Sequence, residues 1–545
     1  MSQKILSEKL AEYQKEAEER DARFRALKLN KEYIELLTYP IEFSALKTLP
    51  EEKARKGLLV PLRKEGKNLI LACFDSSLPE TKKILSELEK KYQLSIYIVS
   101  KRSLNHGWKF YNLLPGKKKK ITGILEIGAK EKRKLPSPAS LKEKIEHFKG
   151  EKIGELLEII LTAGIEMNAS DVHLEPKEKR AICRFRLDGL LHEIAKIDLP
   201  TYRKLLTRIK LLSKMKLNIT TSPQDGRFTI KWQKRIIEIR ASDVPSEYGE
   251  MIVLRILDPE SISFGLEELG LRDDDLKIIS QETKRPNGLI LNTGPTGSGK
   301  TTTLYAILRS LQSPSKKIIT IEDPIEYRLA GIDQTQVNRK AGYTFANGLR
   351  SLLRHDPDII LVGEIRDSET AKIAINASLT GHLVLSTLHT NDAVGAIPRL
   401  IDLGVEPPIL ASSLNIVIAQ RLVRKLCPHC AIFKKPSRDL LKKITLLYQK
   451  IKGRTSLPKI EEIKIGYPNK KGCPYCFNGY KGRIGIFEIF LAKGMENLVS
   501  RKATRYELLE EAKKKGMITL QEDALIKIIQ GITSQEEAER IVGEI

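Results

Sequence analysis

Gly294, Pro295, Thr296, Gly297, Ser298, Gly299, Lys300 and Thr301 match the phosphate-binding pattern G-x-x-x-x-G-K-[ST] at every fixed position. An apolar segment, Gly288 to Asn292, precedes them, and Thr302 opens a helical pattern that runs to Leu311. Nucleotide binding needs that order. Glycines let successive N–H groups curl around phosphate oxygens, and a helix N-terminus adds partial positive charge. Lys300 is spaced to reach the β- and γ-phosphates of ATP, and the Thr301 hydroxyl to ligate Mg²⁺. A chance glycine-rich turn would not come with both the strand and the helix. Ile359 to Gly363 is a second apolar strand pattern ending at an acid, Glu364. Beside a phosphate-binding strand this reads as a Walker B carboxylate, holding Mg²⁺ directly or through its waters. The bland alternative is a buried strand with an exposed terminal acid.

Cys427 and Cys430 form one C-x-x-C pair, and Cys473 and Cys476 form another. Such pairs in a reducing compartment favour convergence on one tetrahedral Zn²⁺. The gap between the pairs exceeds common zinc-ribbon spacing, and C-P-H-C also occurs in disulfide oxidoreductases. No thioredoxin-like βαβ pattern surrounds it, however, and redox chemistry would leave the second pair unexplained. Cys73 and Cys183 stand alone in strand patterns and read as core residues.

Thr320-Ile-Glu-Asp-Pro-Ile-Glu326 resembles the Asp box of secretion ATPases, and Thr380 to His389 resembles their His box. With Arg354-His-Asp-Pro-Asp358 leading into the Walker B pattern, the motifs stand in the order found in type II secretion and type IV pilus assembly ATPases, the GspE/PilB family. Asp171-Val-His-Leu-Glu-Pro176 and Gly482-Arg-Ile-Gly-Ile-Phe-Glu488 also match that family's pattern. The resemblance covers about residues 140–545. It implies a RecA-like P-loop ATPase core that turns over ATP with Mg²⁺, often carrying a tetracysteine insertion. It assigns Glu326 as the general base or water-positioning group, a role suited to an acid beside a Mg²⁺-neutralised phosphate. Glu322 and Asp323 compete for that role, and spacing does not separate them. His382 and His389 bracket a strand, where they would sense the γ-phosphate or touch a neighbouring subunit. Outside this context a lone histidine is usually structural.

Those residues need a scaffold, and the chain reads as α/β and multidomain: a RecA-like core, a preceding α+β, PAS-like domain and a small N-terminal α/β domain. Leu58 to Leu62, Leu69 to Cys73 and Ser95 to Val99 read as strands and Glu80 to Tyr92 as a helix, giving an N-terminal domain over residues 1–130. Lys117 to Lys120 and Gly128 to Ser140 have linker composition, so 131–148 is expected to be a linker. Residues 149–262 follow as the domain covering the nucleotide, with a hairpin turn at Asp188-Gly189 and a strand pair from Arg227 to Arg240. In related ring ATPases the equivalent domain folds over the nucleotide, so Arg227 and Arg240 are expected to approach the triphosphate; the alternative is that they cap a sheet edge. Residues 263–545 complete the ATPase domain, with the zinc insertion at 427–476 and a helical C-terminal region.

Lys and Arg outnumber Asp and Glu by 94 to 69, a net charge of +25 that suits nucleic acid, a nucleotide or an anionic membrane face. A lysine-rich solvated surface gives the same count. A nucleic-acid translocase with the same core is the rival reading, but helicase motifs and a nucleic-acid-binding module with interleaved aromatics are missing. Nucleic acid is therefore not an expected partner. There is neither a signal-peptide h-region nor an apolar run long enough for a membrane span. The expectation is a cytoplasmic homohexamer, peripheral at the inner face of the cell membrane. Its partners would be a polytopic inner-membrane platform protein, a cytoplasmic-face assembly protein and, as a candidate, the anionic membrane surface. Thr38 to Asp75 weakly resembles the family's N-terminal domain. The repeated motif by which some relatives bind cyclic di-GMP has no clear match, and that ligand is not expected.

Overall fold

A computed structural model describes residues 16–37, 39–113, 124–127, 138–148, 152–233, 235–262, 264–451, 454–455 and 457–545. Lys117 to Lys120 and residues 128–137 lie outside them. The chain divides into two compact units, Met1–Leu257 and Asp258–Ile545.

The first unit opens with a helix over residues 16–28 and a four-stranded sheet. Its strands are β1 (Glu32–Tyr33), β2 (Leu59–Glu65), β3 (Asn68–Cys73) and β4 (Gln93–Ile98), ordered β1-β4-β3-β2. Leu59, Leu62, Leu69, Leu71 and Ile98 are fully buried, as the apolar runs predict. A second sheet follows with seven strands: β5 (Ile124–Ile127), β6 (Asp171–Pro176), β7 (Arg180–Leu187), β8 (Leu190–Asp198), β9 (Gln224–Trp232), β10 (Arg235–Ser246) and β11 (Gly249–Leu257). The β7–β8 hairpin turns at Asp188 and Gly189, both at positive φ (49° and 88°), as the Asp-Gly signal requires.

The expected linker carries structure. Within it a helix, Pro138–Glu146, buries Leu141 and Ile145, and ahead of it, inside the span expected for the N-terminal domain, β5 pairs parallel with β9. The Glu146 carboxylate accepts from the Lys196 backbone N–H at 3.0 Å. Lysine- and proline-rich composition concealed a short strand and a helix that bury Leu125, Leu141 and Ile145.

The second unit is a seven-stranded sheet built from β12 (Gly288–Thr293), β13 (Ile318–Glu322), β14 (Asp333–Gln336), β15 (Ile359–Val362), β16 (Leu383–Leu388), β17 (Leu414–Leu426) and β20 (Tyr480–Leu491). The order is β14-β13-β15-β16-β12-β17-β20, parallel except for the last pair. Leu289, Leu291, Ile360, Val362 and Val384 enter one hydrophobic core, while Ile290, Ile359, Leu361, Leu383 and Leu385 enter another. Burial on both faces explains why these strands read as continuous apolar runs rather than alternating ones. A small hairpin, β18 (Ile432–Lys434) with β19 (Ile465–Tyr467), lies in the segment between β17 and β20.

Candidate functional site

In a parallel sheet the strand C-termini share one edge, and ligands bind there. β12 ends at Thr293 and passes into the glycine-rich loop, which leads to the helix Lys300–Leu311, here α1. Gly297 and Gly299 sit at φ 80° and 91°, left-handed backbone that a side chain would strain. Gly294 answers to a different demand. A Cβ there would lie 2.6 Å from the Gln420 carbonyl oxygen and 2.9 Å from Arg421 Nη1.

Lys300 donates Nζ to the carbonyls of Gly294 (2.7 Å) and Pro295 (3.0 Å), folded over the loop that would cradle the phosphates. Burial pushes its ammonium down to about 8, Glu364 opposes the shift and Arg421 adds to it. Thr301 and Thr302 follow on the first turn of α1, half-buried. The Ser298 hydroxyl is buried in the same loop without a hydrogen-bond partner. Bent glycines, a desolvated lysine and the start of a helix fit a nucleotide's phosphates.

Glu364 lies two residues past β15, at the same sheet edge. Its Oε2 is 2.6 Å from Arg366 Nε and 3.7 Å from His389 Nε2. The Walker B position and the second His-box histidine are thus neighbours. Burial, together with the positive charge of Lys300, holds the His389 imidazole below its ordinary range and so neutral near pH 7. Thr301 and Glu364 offer a hydroxyl and a carboxylate, oxygen donors of the kind Mg²⁺ takes.

His382 is not brought to this edge. It precedes β16, so the six-residue strand, about 20 Å long, separates it from His389. Its Nδ1 contacts the Ala377 carbonyl at 3.1 Å, ending the preceding helix. Strand polarity was the available signal, because the glycine-rich loop follows its strand whereas His382 comes before its own.

The structure separates the competing acids of the Asp box. Glu322 is buried and accepts from the Tyr305 hydroxyl, from Thr320 Oγ1 at 2.7 Å and from Gln334 Nε2 at 3.2 Å. Burial raises its carboxyl above the ordinary range. Asp323 pairs with Arg339 at 3.2 Å. Glu326 is half-buried in the loop after β13, close enough that its charge adds to the upward shifts of Tyr305 and Glu322.

Two residues of the site had no sequence motif. Gln420 is buried on β17; its Oε1 accepts from Asn292 Nδ2 (2.9 Å) and Thr303 Oγ1 (2.8 Å), locking the glycine-rich loop at both ends. Thr293 Oγ1 accepts from the Thr390 N–H at 2.9 Å and lies 2.7 Å from Thr390 Oγ1. These contacts join segments about a hundred residues apart, which periodicity and short motifs do not register.

In the first unit, Arg227 and Arg240 face each other across β9 and β10, and Arg255 on β11 is in register with Arg240. Asp171 on β6 comes next, bonded to Arg255 Nε at 2.9 Å and near Arg186 Nε at 3.3 Å. Arg240 Nε also lies 3.5 Å from Glu238. Directly opposed like charges destabilise a sheet, and Glu238 and Asp171 beside the row offset that repulsion.

The four cysteines meet. β17 and β20 are antiparallel neighbours, with Leu426 in register with Tyr480, so the pair after one strand and the pair before the other fall together. Sγ separations are 3.7 Å (Cys427–Cys473), 3.6 Å (Cys430–Cys476) and 3.5 Å (Cys473–Cys476), and all four thiols are free. A tetrahedron with Zn–S bonds of about 2.3 Å has edges of about 3.8 Å. The cluster fits zinc, and a disulfide S–S bond of about 2.05 Å does not describe it. The Cys473 N–H also points at Cys476 Sγ, at 3.3 Å.

Residues 146–540 match the family described as Type II/IV secretion system protein, and residues 29–108 match the MshEN domain. The chain is 44% identical over 391 residues to Type II secretion system protein E of Pseudomonas aeruginosa, covering 71% of this chain and 75% of that one. It is 36% identical over 519 residues to the type IV pilus assembly ATPase PilB of Myxococcus xanthus, covering 93% and 89%. Among solved structures, the ATPase DotB of Yersinia pseudotuberculosis aligns with a TM-score of 0.52 at 19% identity over 77% of this chain and 97% of that one, a likeness of fold.

Proposed function

The chain belongs to the Type II/IV secretion system protein family and is a traffic ATPase, and we propose that it hydrolyses ATP to drive polymerisation of pilin or pseudopilin subunits. The observation that carries this reading is the convergence of Lys300, Glu364 and His389 at one sheet edge, in a chain that aligns with a pilus assembly ATPase through both units. That end-to-end alignment favours pilus assembly over secretion.

In this reading the glycine-rich loop and Lys300 bind the β- and γ-phosphates. Glu326 orients and deprotonates the attacking water, a role that Glu322, with its three donors, is not available to fill. His389, neutral and beside Glu364, reports the γ-phosphate to the rest of the sheet edge. Arg227 and Arg240 supply fork-like donors to the triphosphate during turnover. Thr301 and Glu364 would hold Mg²⁺, which would supply neutralisation of phosphate charge. Cys427, Cys430, Cys473 and Cys476 would hold Zn²⁺, which would brace the ends of β17 and β20.

The motor acts as a homohexamer in the cytoplasm, peripheral to the membrane, where it engages a polytopic platform protein and a cytoplasmic-face assembly protein. Residues 1–130 dock the membrane partner and residues 149–262 serve the nucleotide. Among the described residues no helix is long and apolar enough to cross a membrane. The test is a gene deletion complemented with wild-type or Glu326→Gln protein, scored for surface pili by electron microscopy and for secreted protein in the medium. Restoration by the wild type alone is expected. Pili and secretion both intact in the deletion strain would contradict the proposal.

A further inference from the structure

β17 runs parallel to β12 with Ala419 in register with Thr293, so Gln420 and Arg421 flank Gly294 where strand becomes loop. Gln420 turns its side chain inward to Asn292 and Thr303. Arg421 is half-buried, and its guanidinium spans two backbone carbonyls: Nη1 donates to Gln420 O at 3.0 Å and Nη2 to Asn391 O at 2.7 Å. It occupies space that only a glycine at 294 leaves, with Nη1 2.9 Å from where a Cβ would be.

Asn391 lies two residues past His389. The intervening Thr390 is already tied to Thr293, so the histidine loop has two adjacent tethers, one to the end of β12 through Thr293 and one to β17 through Arg421. One is a short hydroxyl contact and the other a planar fork. A lysine reproduces the charge of that fork but not its fixed span across two acceptors. Desolvation also opposes a cation at this position, which is therefore not neutral ballast: burial lowers the ordinary pKa of Arg421, and its charge in turn depresses Lys300.

We propose that Arg421 is a positioning residue of the ATPase site, bracing the loop that carries His389 against β17 beside the first residue of the glycine-rich loop so that His389 stays beside Glu364. The proposal rests on the reading of His389 as part of the hydrolytic site. A brace and a phosphate ligand differ in what their loss changes. Loss of a ligand weakens binding, whereas loss of a brace lowers kcat through misplacement, for which about 10²-fold is the expected scale.

The experiment is a double-mutant cycle on full-length protein with Arg421→Ala, Arg421→Lys and His389→Ala, reading kcat, KM, thermal midpoint and affinity for a fluorescent ATP analogue. Arg421→Ala and Arg421→Lys should each lower kcat about ten-fold or more, with analogue affinity within about three-fold of wild type and an unchanged midpoint. Adding Arg421→Ala to His389→Ala should cost less than about two-fold further. Effects that multiply, or a wild-type kcat in Arg421→Lys, would overturn the brace while leaving the role of His389 standing. Loss of affinity with kcat intact would make Arg421 a nucleotide ligand instead. Full activity in His389→Ala would remove the reading on which the brace rests, and the brace with it.

Discussion

The hydroxyl of Tyr305, on the helix that follows the glycine-rich loop, donates to the buried carboxylate of Glu322 at the end of β13. That bond ties the phosphate-binding helix to the strand carrying the Asp box. It also divides the work of the glutamates, with Glu322 fastened to the frame and Glu326 on the loop beyond it.

Glu322→Gln should therefore act on stability. An amide presents N–H groups where the carboxylate accepted three hydrogen bonds, and each buried group left unsatisfied costs about 1–3 kcal/mol. A lowered midpoint in thermal denaturation, with ATP-analogue affinity retained, is the expected result.

Lys300 predicts a pH dependence. Its folded-state pKa, about 8, lies below its ordinary value because burial disfavours the charge. Well below pH 8 the ammonium is present and phosphate binding is full. As pH rises through 8 the proton is lost, and affinity for ATP should fall. Lys300→Arg keeps its charge, so titration of analogue binding from pH 7 to 9.5 should show the fall in wild type and none in the variant. Lys300→Ala should abolish turnover.

Metal analysis of purified protein should give one zinc per chain. Cys427→Ser or Cys473→Ser should release it and lower the thermal midpoint, since a four-coordinate structural site tolerates loss of a ligand poorly. A metal-free preparation that melts with wild type would contradict the assignment.

Much of this site was legible in the sequence because its chemistry is carried by short segments. The glycine-rich loop encodes its own geometry, and the Asp-Gly of the β7–β8 hairpin encodes its turn. Residues brought together by strand order were not legible. Gln420 meets Asn292, and Arg421 meets Asn391, because β17 lies beside β12, a neighbour relation that no local pattern states. The cysteine pairs were recognisable as ligands, but their convergence depends on the antiparallel pairing of β17 with β20. His382 was grouped with His389 by the His-box resemblance, and the strand they bracket holds them a strand's length apart. Spacing does not distinguish Glu322 from Glu326, whereas their burial differs: Glu322 is buried and Glu326 half-buried.

Arg227 and Arg240 stand opposite each other in a row with Arg255, where Glu238 lies near Arg240 and Asp171 pairs with Arg255. The Arg227→Ala, Arg240→Ala variant should keep its fold and lose about 10³-fold in kcat, the scale of arginine contributions to phosphoryl transfer. Near-wild-type turnover would show that the pair only ends a sheet edge.

The most direct test of the ATPase site is phosphate release by the purified full-length chain, measured beside ATP-analogue binding, for wild type and Glu326→Gln. An amide cannot accept the water's proton, so the variant should bind ATP as wild type does and lose about 10²- to 10⁴-fold in turnover. Glu326→Gln hydrolysing ATP at the wild-type rate would contradict the account.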